Sequence, residues 1–300
     1  LVGARVSDYS KGEIIRHERV FDEKVQGRLK LSRETGFTFE PIFVLTKSPI
    51  TALLEIVKKT HQPEYEFTSD FGNASNSELH GIRNRIFRVR TYSEDGSNLV
   101  KIIGANSLYI ADGHHRYHGA LLGHQTHFLA YVVENAEIQA YNRVMNGLRK
   151  FDEFKRQLEL QETLEFKTPP QHQFCVYSRN GIFLFRAKNI PEDVTGSLDC
   201  SIIEREFYPL LGLRHDMIKD DRYFGYYPEW QIAEMKSLVD SGKFDIAVAL
   251  HPVSIPQLMA VADAGIRNSN IVMPEKSTYF APKILSGIVL HKHTIAQRAT

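Results

Sequence analysis

The sequence predicts an α+β fold in two lobes, and three observations support this. Short apolar runs typical of strands alternate with longer amphipathic segments typical of helices, which is the pattern of mixed sheets with helices. The composition is that of a globular protein, with 42% hydrophobic and 24% charged residues among 300. A proline-containing segment at 167–173 separates the first part of the chain from the second. We therefore predict an N-terminal lobe at 1–165 and a second α+β lobe at 166–300.

The first part of the chain alternates strands and helices. Residues 1–15 alternate in polarity and then turn, which predicts a strand, a turn and a short strand. Residues 16–36 are rich in helix-forming residues and end at a glycine, which predicts a helix. The apolar run at 40–47 predicts a buried strand. Ser48 and Pro49 predict the cap and the first residue of the next helix.

The rest of the chain continues this mixture. Residues 64–91 predict two strands joined by a polar loop, and residues 93–98 predict a turn. A strong strand is predicted at 126–135, and a mostly helical stretch at 140–166. Further strands are predicted at 174–179, 181–188 and 244–254, and helices at 201–213, 228–242 and 255–265.

Charge and cysteine usage exclude several classes of protein. The net charge of +1 gives no broad field that would favour nucleic acid, and no apolar run approaches the roughly 20 residues of a membrane span. Cys175 and Cys200 lack metal-like spacing and predict reduced thiols in a cytoplasmic protein. Because the chain begins without Met, inside a strand pattern, we expect a fragment or a processed chain. A homodimer is a further expectation.

Polar, titratable residues cluster in "ADGHHRY", where an apolar strand pattern gives way to a short helix. Asp112 is suited to cap that helix, and Gly113 allows a turn and the close approach of a ligand. His114, His115 and Arg116 fall in the first helical turn, where free amide protons and the positive end of the helix dipole point outward. Imidazole and guanidinium donors at that end predict an anion site, most naturally for phosphate.

The same segment leaves a metal site open as an alternative. His114 and His118 are four residues apart, a spacing that zinc ligands use on one helical face. The neighbouring acid of the H-E-x-x-H motif is absent, which weakens the prediction of a metal-dependent hydrolase.

A second candidate site is "PEKSTYFAPK", where donors crowd between Pro274 and Pro282. Prolines restrict the backbone, which suits a rigid binding loop. Lys276 is a candidate contact for a phosphate or a substrate carboxylate. The candidate substrate-binding residues are Ser277, Thr278 and Tyr279. A surface loop packed by its aromatic residues is the competing interpretation.

The order of three motifs resembles a known family. "IIRHE" at 14–18, "ADGHHRY" at 111–117 and "MPEKSTYFAPKILSG" at 273–287 resemble the bacterial and archaeal domain-of-unknown-function family 1015 along essentially the whole chain. That resemblance implies a further family segment upstream of the first residue.

The first half also resembles the ParB/sulfiredoxin-like fold, and most of all the free serine kinases, in the order "HE", helix, "PIFVL" and "ADGHHR". This resemblance implies that residues 112–116 bind nucleotide phosphates and that Glu18 is the catalytic base, with His17 beside it. The chain departs from the small kinases in two respects. Roughly 60 residues separate "PIFVL" from "ADGHHR", and the second half has no counterpart that we can place in them.

Together these features favour a nucleotide-dependent small-molecule kinase that phosphorylates a serine-like hydroxyl. The expected cofactors are Mg²⁺ and ATP or ADP, with Asp112 or Glu18 as the carboxylate ligand of the ion. The alternatives are a nucleotide-responsive regulatory protein of the ParB-like class, without transfer activity, and the metal-dependent hydrolase.

Overall fold

The computed structural model describes residues 1–71, 79–281 and 283–293. Pro282, which was expected to rigidify the second candidate site, lies outside the described residues. The chain groups into two compact units. The first comprises Leu1–Glu137, Gly265–Ser269 and Phe280 onward, and the second comprises Ile138–Ala264 and Asn270–Tyr279. Both combine strands with helices, so the α+β class is confirmed. The domain boundary between residues 165 and 166 stays a prediction.

The described elements follow one another along the whole chain. The strands are β1 (Val2–Arg5), β2 (Ile14–Ile15), β3 (Phe37–Thr38), β4 (Ile42–Thr46), β5 (Tyr65–Thr68), β6 (Arg83–Ile86), β7 (Leu108–Asp112), β8 (His127–Val133), β9 (Glu137–Gln139), β10 (Tyr141–Met145), β11 (Gln161–Thr163), β12 (Gln173–Ser178), β13 (Gly181–Arg186), β14 (Phe224–Pro228), β15 (Ile246–Leu250), β16 (Tyr279–Ala281) and β17 (His291–Lys292). The helices are α1 (Asp22–Thr35), α2 (Thr51–Thr60), α3 (Glu94–Ile103), α4 (His114–Leu122), α5 (Phe151–Phe154), α6 (Asp199–Glu206), α7 (Ile232–Asp240) and α8 (Ile255–Arg267).

The first unit is built on a five-stranded mixed sheet in the order β1-β8-β4-β7-β2. β4 is parallel to β8 and antiparallel to β7, and all five of its residues are buried. The register of β4 and β7 shifts between Phe43 and Val44, directly beside Asp112. Such an irregularity bends a strand and redirects its side chains. The shift therefore lies at the end of β7, where the predicted phosphate-binding segment begins.

Helix α4 packs into the core of this unit through its apolar face. Tyr117 is fully buried, and its hydroxyl accepts a hydrogen bond from the Ser7 amide and donates one to the Ser7 carbonyl. The same helix contacts α1, which ends at Gly36 in the left-handed conformation, as predicted. This packing fixes the direction of α4, so its first turn faces the loop that follows β2.

The second unit has a six-stranded antiparallel sheet in the order β11-β13-β12-β15-β10-β14. Helix α7 covers one face of it through Met235 and Val239, both fully buried. Cys175 and Cys200 are buried free thiols, in agreement with the sequence.

Three local predictions are wrong. The stretch at 140–166 is not mostly helical: only α5 and the turn at Lys155–Gln157 are helical, because β10 pairs with both β14 and β15 and β11 pairs with β13. The predicted turn at 93–98 starts α3, since the Ser93 side chain accepts the Gly96 amide as a helix cap. Ser48 does not cap α2, because its hydroxyl donates to the Ile102 carbonyl and the helix begins at Thr51.

None of the described helices combines the length and the apolar character that crossing a membrane would require.

Candidate functional site

The junction between β7 and α4 brings the predicted phosphate-binding residues together. β7 ends at Asp112, Gly113 is the N-cap residue, and α4 begins at His114. Gly113 has a φ of 101°, in the left-handed region that favours glycine. A Cβ at this position would lie 2.9 Å from both Nε and Nη2 of Arg116. The junction therefore needs glycine for its turn and for the guanidinium that folds back over it.

Asp112 does not cap α4, which corrects one sequence prediction. Because the chain enters the helix through the left-handed Gly113, residue 113 occupies the cap position, and no side chain in the described part of the protein caps the helix. The Asp112 carboxylate instead accepts from Arg116 Nη2 at 2.7 Å and from Lys283 Nζ at 3.4 Å. Within the described residues, the amides of His114, His115 and Arg116 donate no hydrogen bond. Three amides at the positive end of the helix dipole thus remain available to an anion.

Arg116 lies between two carboxylates. Its Nη1 donates to Glu40 Oε2 at 2.6 Å, and its Nη2 donates to Asp112 Oδ2. Glu40 Oε1 also accepts from the Ser286 hydroxyl at 3.1 Å. The Arg116 side chain is only 15% exposed, against 35% for Glu40 and 44% for Asp112. The guanidinium is therefore held in a fixed position beside the first turn of α4.

Glu18 lies on the other side of that turn, in the loop between β2 and α1. Its Oε2 is 3.3 Å from His114 Nδ1, and its Oε1 is 3.8 Å from His17 Nε2. The side chain of Glu18 is 40% exposed, whereas those of His17 and His114 are almost completely buried. The two histidine rings meet edge to face, with centroids 4.4 Å apart. The Glu18 carboxylate is thus partly exposed to solvent and contacts the buried imidazoles of His17 and His114.

The pKa values of this group follow from burial and from the neighbouring charges. Burial, together with the neighbouring His114, lowers the pKa of His17 to about 3, so His17 is neutral near pH 7. Burial would raise the pKa of Glu18, but attraction to His114 and a hydrogen bond from it outweigh that effect and lower the pKa to about 2. Glu18 is therefore ionised at neutral pH.

His115 and His118 face other surroundings. The His115 ring stacks on Phe21 with centroids 5.8 Å apart, and the His118 ring stacks on Tyr9 with centroids 6.0 Å apart. Burial lowers the pKa of both rings. The Nε2 atom of His115 is buried and has no hydrogen-bond partner among the described residues. His115 thus stands in the first turn of α4 as predicted, and its ring packs against an aromatic side chain.

One cluster of described residues has the composition of a metal site. His17, Glu18 and His114 each offer one ligand atom, and these atoms lie within 4.8 Å of one another. The His17 amide donates to His114 Nε2 at 3.4 Å, so the neutral ring carries its proton on Nδ1, facing Glu18. A metal bound at Nδ1 would force that proton onto Nε2, against the His17 amide hydrogen. The geometry therefore favours a hydrogen-bonded Glu18–His114 pair, and His118 is not part of the cluster.

The second candidate segment belongs to the other unit. Lys276 is exposed in a turn at a φ of 56°, and its Nζ lies 5.6 Å from the centre of the Tyr226 ring. Ser277 is 5% exposed, and its hydroxyl has no hydrogen-bond partner among the described residues. The Tyr279 ring packs on Tyr141 with centroids 5.7 Å apart, and Thr278 is half-buried. The role of these four residues in binding stays a prediction.

Sequence reasoning missed Glu40 and Lys283 as members of the α4 site. Glu40 lies two residues before β4, and Lys283 follows the KSTYF segment. Glu40 begins the segment at 40–47 that predicted a strand, and Lys283 ends the motif "PEKSTYFAPK", so both residues were in segments that the sequence singled out. Their side chains converge on Arg116 and Asp112 only in the folded chain.

Burial of His17 predicts that stability falls in mild acid. Its folded pKa of about 3 lies below the ordinary 6.5, so the unfolded chain takes up the proton first as the pH falls. The contribution is complete above pH 6.5 and is lost toward pH 3. From pH 7 to pH 5.5 we expect this group alone to lower the free energy of unfolding by about 1 kcal/mol.

Urea unfolding at both pH values, on wild type and His17→Phe, measures this loss as the difference between the two proteins. His127→Phe, at an exposed position in β8, is the matched control and should keep the wild-type pH dependence. An equal loss in the wild-type and His17→Phe proteins would show that His17 is not a buried neutral group.

Several solved structures resemble the chain. A free serine kinase in complex with AMP is 12% identical, with a TM-score of 0.45, over 90% of this chain and 84% of that chain. A conserved hypothetical protein from Pyrococcus furiosus is 12% identical, with a TM-score of 0.45, over 91% of this chain and 90% of that chain. SbnI with C-terminal truncation, from Staphylococcus aureus, is 10% identical, with a TM-score of 0.48, over 95% and 84%. Likeness at this level does not assign an activity.

No curated protein matches the chain. The family model described as "Protein of unknown function (DUF1015)" matches residues 1–201 of the 300. This agrees with the resemblance in the motifs, and the chain therefore belongs to that family.

Proposed function

We propose that the chain is a nucleotide-dependent kinase that transfers a phosphoryl group to the hydroxyl of a small, serine-like molecule. The observation that carries the proposal is one arrangement at the start of α4. The ionised Glu18 is held 3.3 Å from His114 Nδ1, and the first three amides of the same helix have no partner among the described residues. A base and an anion site thus lie on either side of one helical turn.

The phosphates would bind at the first turn of α4. The amides of His114, His115 and Arg116 supply donors, and Arg116 and Lys283 supply positive charge. Glu40 and Asp112 already engage the Arg116 guanidinium, so the phosphates compete with these carboxylates for it. Lys276 is retained as a phosphate contact in the proposal, and residues 277–279 are retained as substrate contacts.

Glu18 would take the proton of the acceptor hydroxyl. The acceptor oxygen forms a bond to the terminal phosphorus, the bond from that phosphorus to the bridging oxygen breaks, and ADP leaves when ATP is the donor, or AMP when ADP is. A carboxylate with a pKa of about 2 is a weak base. This suits the loose transition state of phosphoryl transfer, in which positioning of the hydroxyl matters more than early proton removal. His17 acts as a positioning residue, since its ring packs against His114.

The donor set fits Mg²⁺ that arrives with the nucleotide. Glu40 and Asp112 pair with the cationic side chains of Arg116 and Lys283, and Glu18 supplies a third carboxylate beside His114. Asp112 would hold the ion through an oxygen lone pair, and the ion would neutralise phosphate charge when bound. Because Arg116 and Lys283 already pair with Asp112, we propose that nucleotide and ion bind together.

Incubation of the purified protein with ATP or ADP and a panel of small hydroxyl compounds, serine first, tests the proposal. We expect one acceptor to gain the mass of a phosphoryl group, with an equal amount of ADP or AMP formed. Hydrolysis of the nucleotide gives inorganic phosphate and no phosphorylated acceptor. The product formed therefore distinguishes phosphoryl transfer from hydrolysis. Nucleotide binding without transfer to any acceptor would contradict the proposal and favour the nucleotide-responsive regulator.

A further inference from the structure

A mainly apolar cavity, partly open to solvent, adjoins the α4 site within the first unit. It has a volume of about 170 Å³ and lies among α1, α4, β8 and the segment from β3 to β4. Its apolar walls include Leu31, Phe37, Phe39, Ile42, Ala120 and Phe128. An apolar cavity of about 150 Å³ accepts a benzene ring, whereas sites for whole drug-sized ligands start at about 300 Å³. The cavity therefore fits one planar ring system and excludes a complete nucleotide.

Part of the cavity wall is polar and is held in place by hydrogen bonds. Gln125 Nε2 donates to the Ser32 hydroxyl at 3.1 Å, and His293 lies between the hydroxyls of Ser32 and Thr38, at 3.1 and 2.9 Å. Ser32, Thr38 and Gln125 line the cavity and give it a small hydrogen-bonding wall. A flat aromatic ligand with polar atoms at its edge matches this combination.

Arg116 joins the cavity to the anion site. Arg116 and Glu40 line the cavity, and the same guanidinium folds over Gly113 at the start of α4. A ligand with a ring in the cavity thus has a cation and the unpartnered helix amides beside the cavity, where its negative groups would lie.

We infer that this cavity binds the base of the nucleotide whose phosphates lie at α4, an inference that rests on the proposed function. The base is held mainly by contact with the aromatic and aliphatic walls. Burial and stacking of one base contribute roughly tenfold or more to affinity. The site should therefore distinguish a nucleoside diphosphate from inorganic pyrophosphate, which carries the same phosphates without a ring.

The experiment compares ADP with pyrophosphate by calorimetry, both with Mg²⁺. Ala120→Leu fills the cavity, and Phe39→Ala removes one wall. At exposed positions that do not line the cavity, Ala105→Leu repeats the first substitution and Tyr65→Ala removes an aromatic ring. We expect both cavity variants to weaken ADP binding by about tenfold or more, while pyrophosphate binding stays within about twofold. The two controls should bind both ligands as wild type does.

Ala120 is buried in the core, so its variant is checked by thermal unfolding, whereas Phe39 is 36% exposed and keeps the test valid if Ala120→Leu unfolds. Unchanged ADP binding in Phe39→Ala, or equal weakening of ADP and pyrophosphate, would overturn the base site and leave the proposed kinase intact. If the wild-type protein binds neither ADP nor pyrophosphate, the base site and the proposed kinase are both overturned.

Discussion

Replacing Glu18 with glutamine is expected to lower phosphoryl transfer by at least about 10²-fold while ADP affinity stays within about threefold of wild type. Glutamine has nearly the shape of glutamate, and its amide oxygen can still accept from His114. It carries no charge and cannot take a proton from a hydroxyl. Because one negative charge beside the phosphates is removed, any change in ADP affinity should be toward tighter binding.

The matched control is Glu23→Gln, which makes the same change at an exposed position in the first turn of α1. It should keep wild-type turnover and affinity. Turnover measured by the mass of the phosphorylated acceptor, together with ADP binding by calorimetry, separates a lost base from a damaged site. Wild-type turnover in Glu18→Gln would refute the assignment, and loss of ADP binding would make Glu18 part of the binding site instead.

The pH profile gives a second readout of the same assignment. The pKa of Glu18 is about 2, because its interactions with His114 outweigh burial. Glu18 therefore stays ionised down to about pH 4, and its protonation should not limit the rate above that pH. A base with an ordinary carboxyl pKa would lose activity nearer pH 4.5. If groups other than Glu18 cause the rate to fall in acid, the fall should occur at the same pH in Glu23→Gln.

The strand-to-helix junction at residues 112–116 was predictable because its signals are local. The apolar run before Asp112 gives the strand, and Gly113 gives the turn. The segment after it has enough helix-forming residues for a short helix. Only the cap was wrong, since the sequence does not show that Gly113 adopts the left-handed conformation and itself takes the N-cap position. That conformation decides which groups the Asp112 carboxylate can reach.

The partners of Arg116 and Asp112 were not predictable from local patterns. Glu40 is 76 positions from Arg116 in the sequence, and Lys283 is 171 positions from Asp112. Each looks like an ordinary charged residue at the edge of a strand or loop. Only the fold brings these charges together, so the motif alone predicts a more positive site than the folded chain has. The structure places two carboxylates on the arginine that the sequence assigned to phosphate.

The error at 140–166 has a different origin. The charged residues at helical spacing do form the short helix α5, but the residues before them pair with two neighbours in a sheet. Val144 and Met145 are fully buried in β10, between β14 and β15. The pairing of a central strand satisfies all its backbone groups and buries both faces, which outweighs the local preference for helix.

Removing Arg116 has the second large effect, because the charge balance of the site depends on it. In Arg116→Ala the carboxylates of Glu40 and Asp112 lose the cation that bridges them. They would then repel incoming phosphates as well as each other. A hydrogen bond to a charged group contributes about 1.5–3 kcal/mol. We therefore expect ADP binding to weaken by roughly 10- to 100-fold.

The control for that loss is Arg33→Ala, which removes an exposed arginine from the last turn of α1 and should leave ADP affinity unchanged.

A rescue tests the cause. In the Arg116→Ala background, Glu40→Gln removes one repelling charge and should recover part of the affinity, whereas a merely misfolded site would recover none. Arg116→Lys should have an ADP affinity between those of wild type and Arg116→Ala. Its ammonium keeps the positive charge but cannot bridge two carboxylates in a fixed geometry. Calorimetry gives the affinities, and a wild-type Kd in Arg116→Ala would remove this arginine from the nucleotide site.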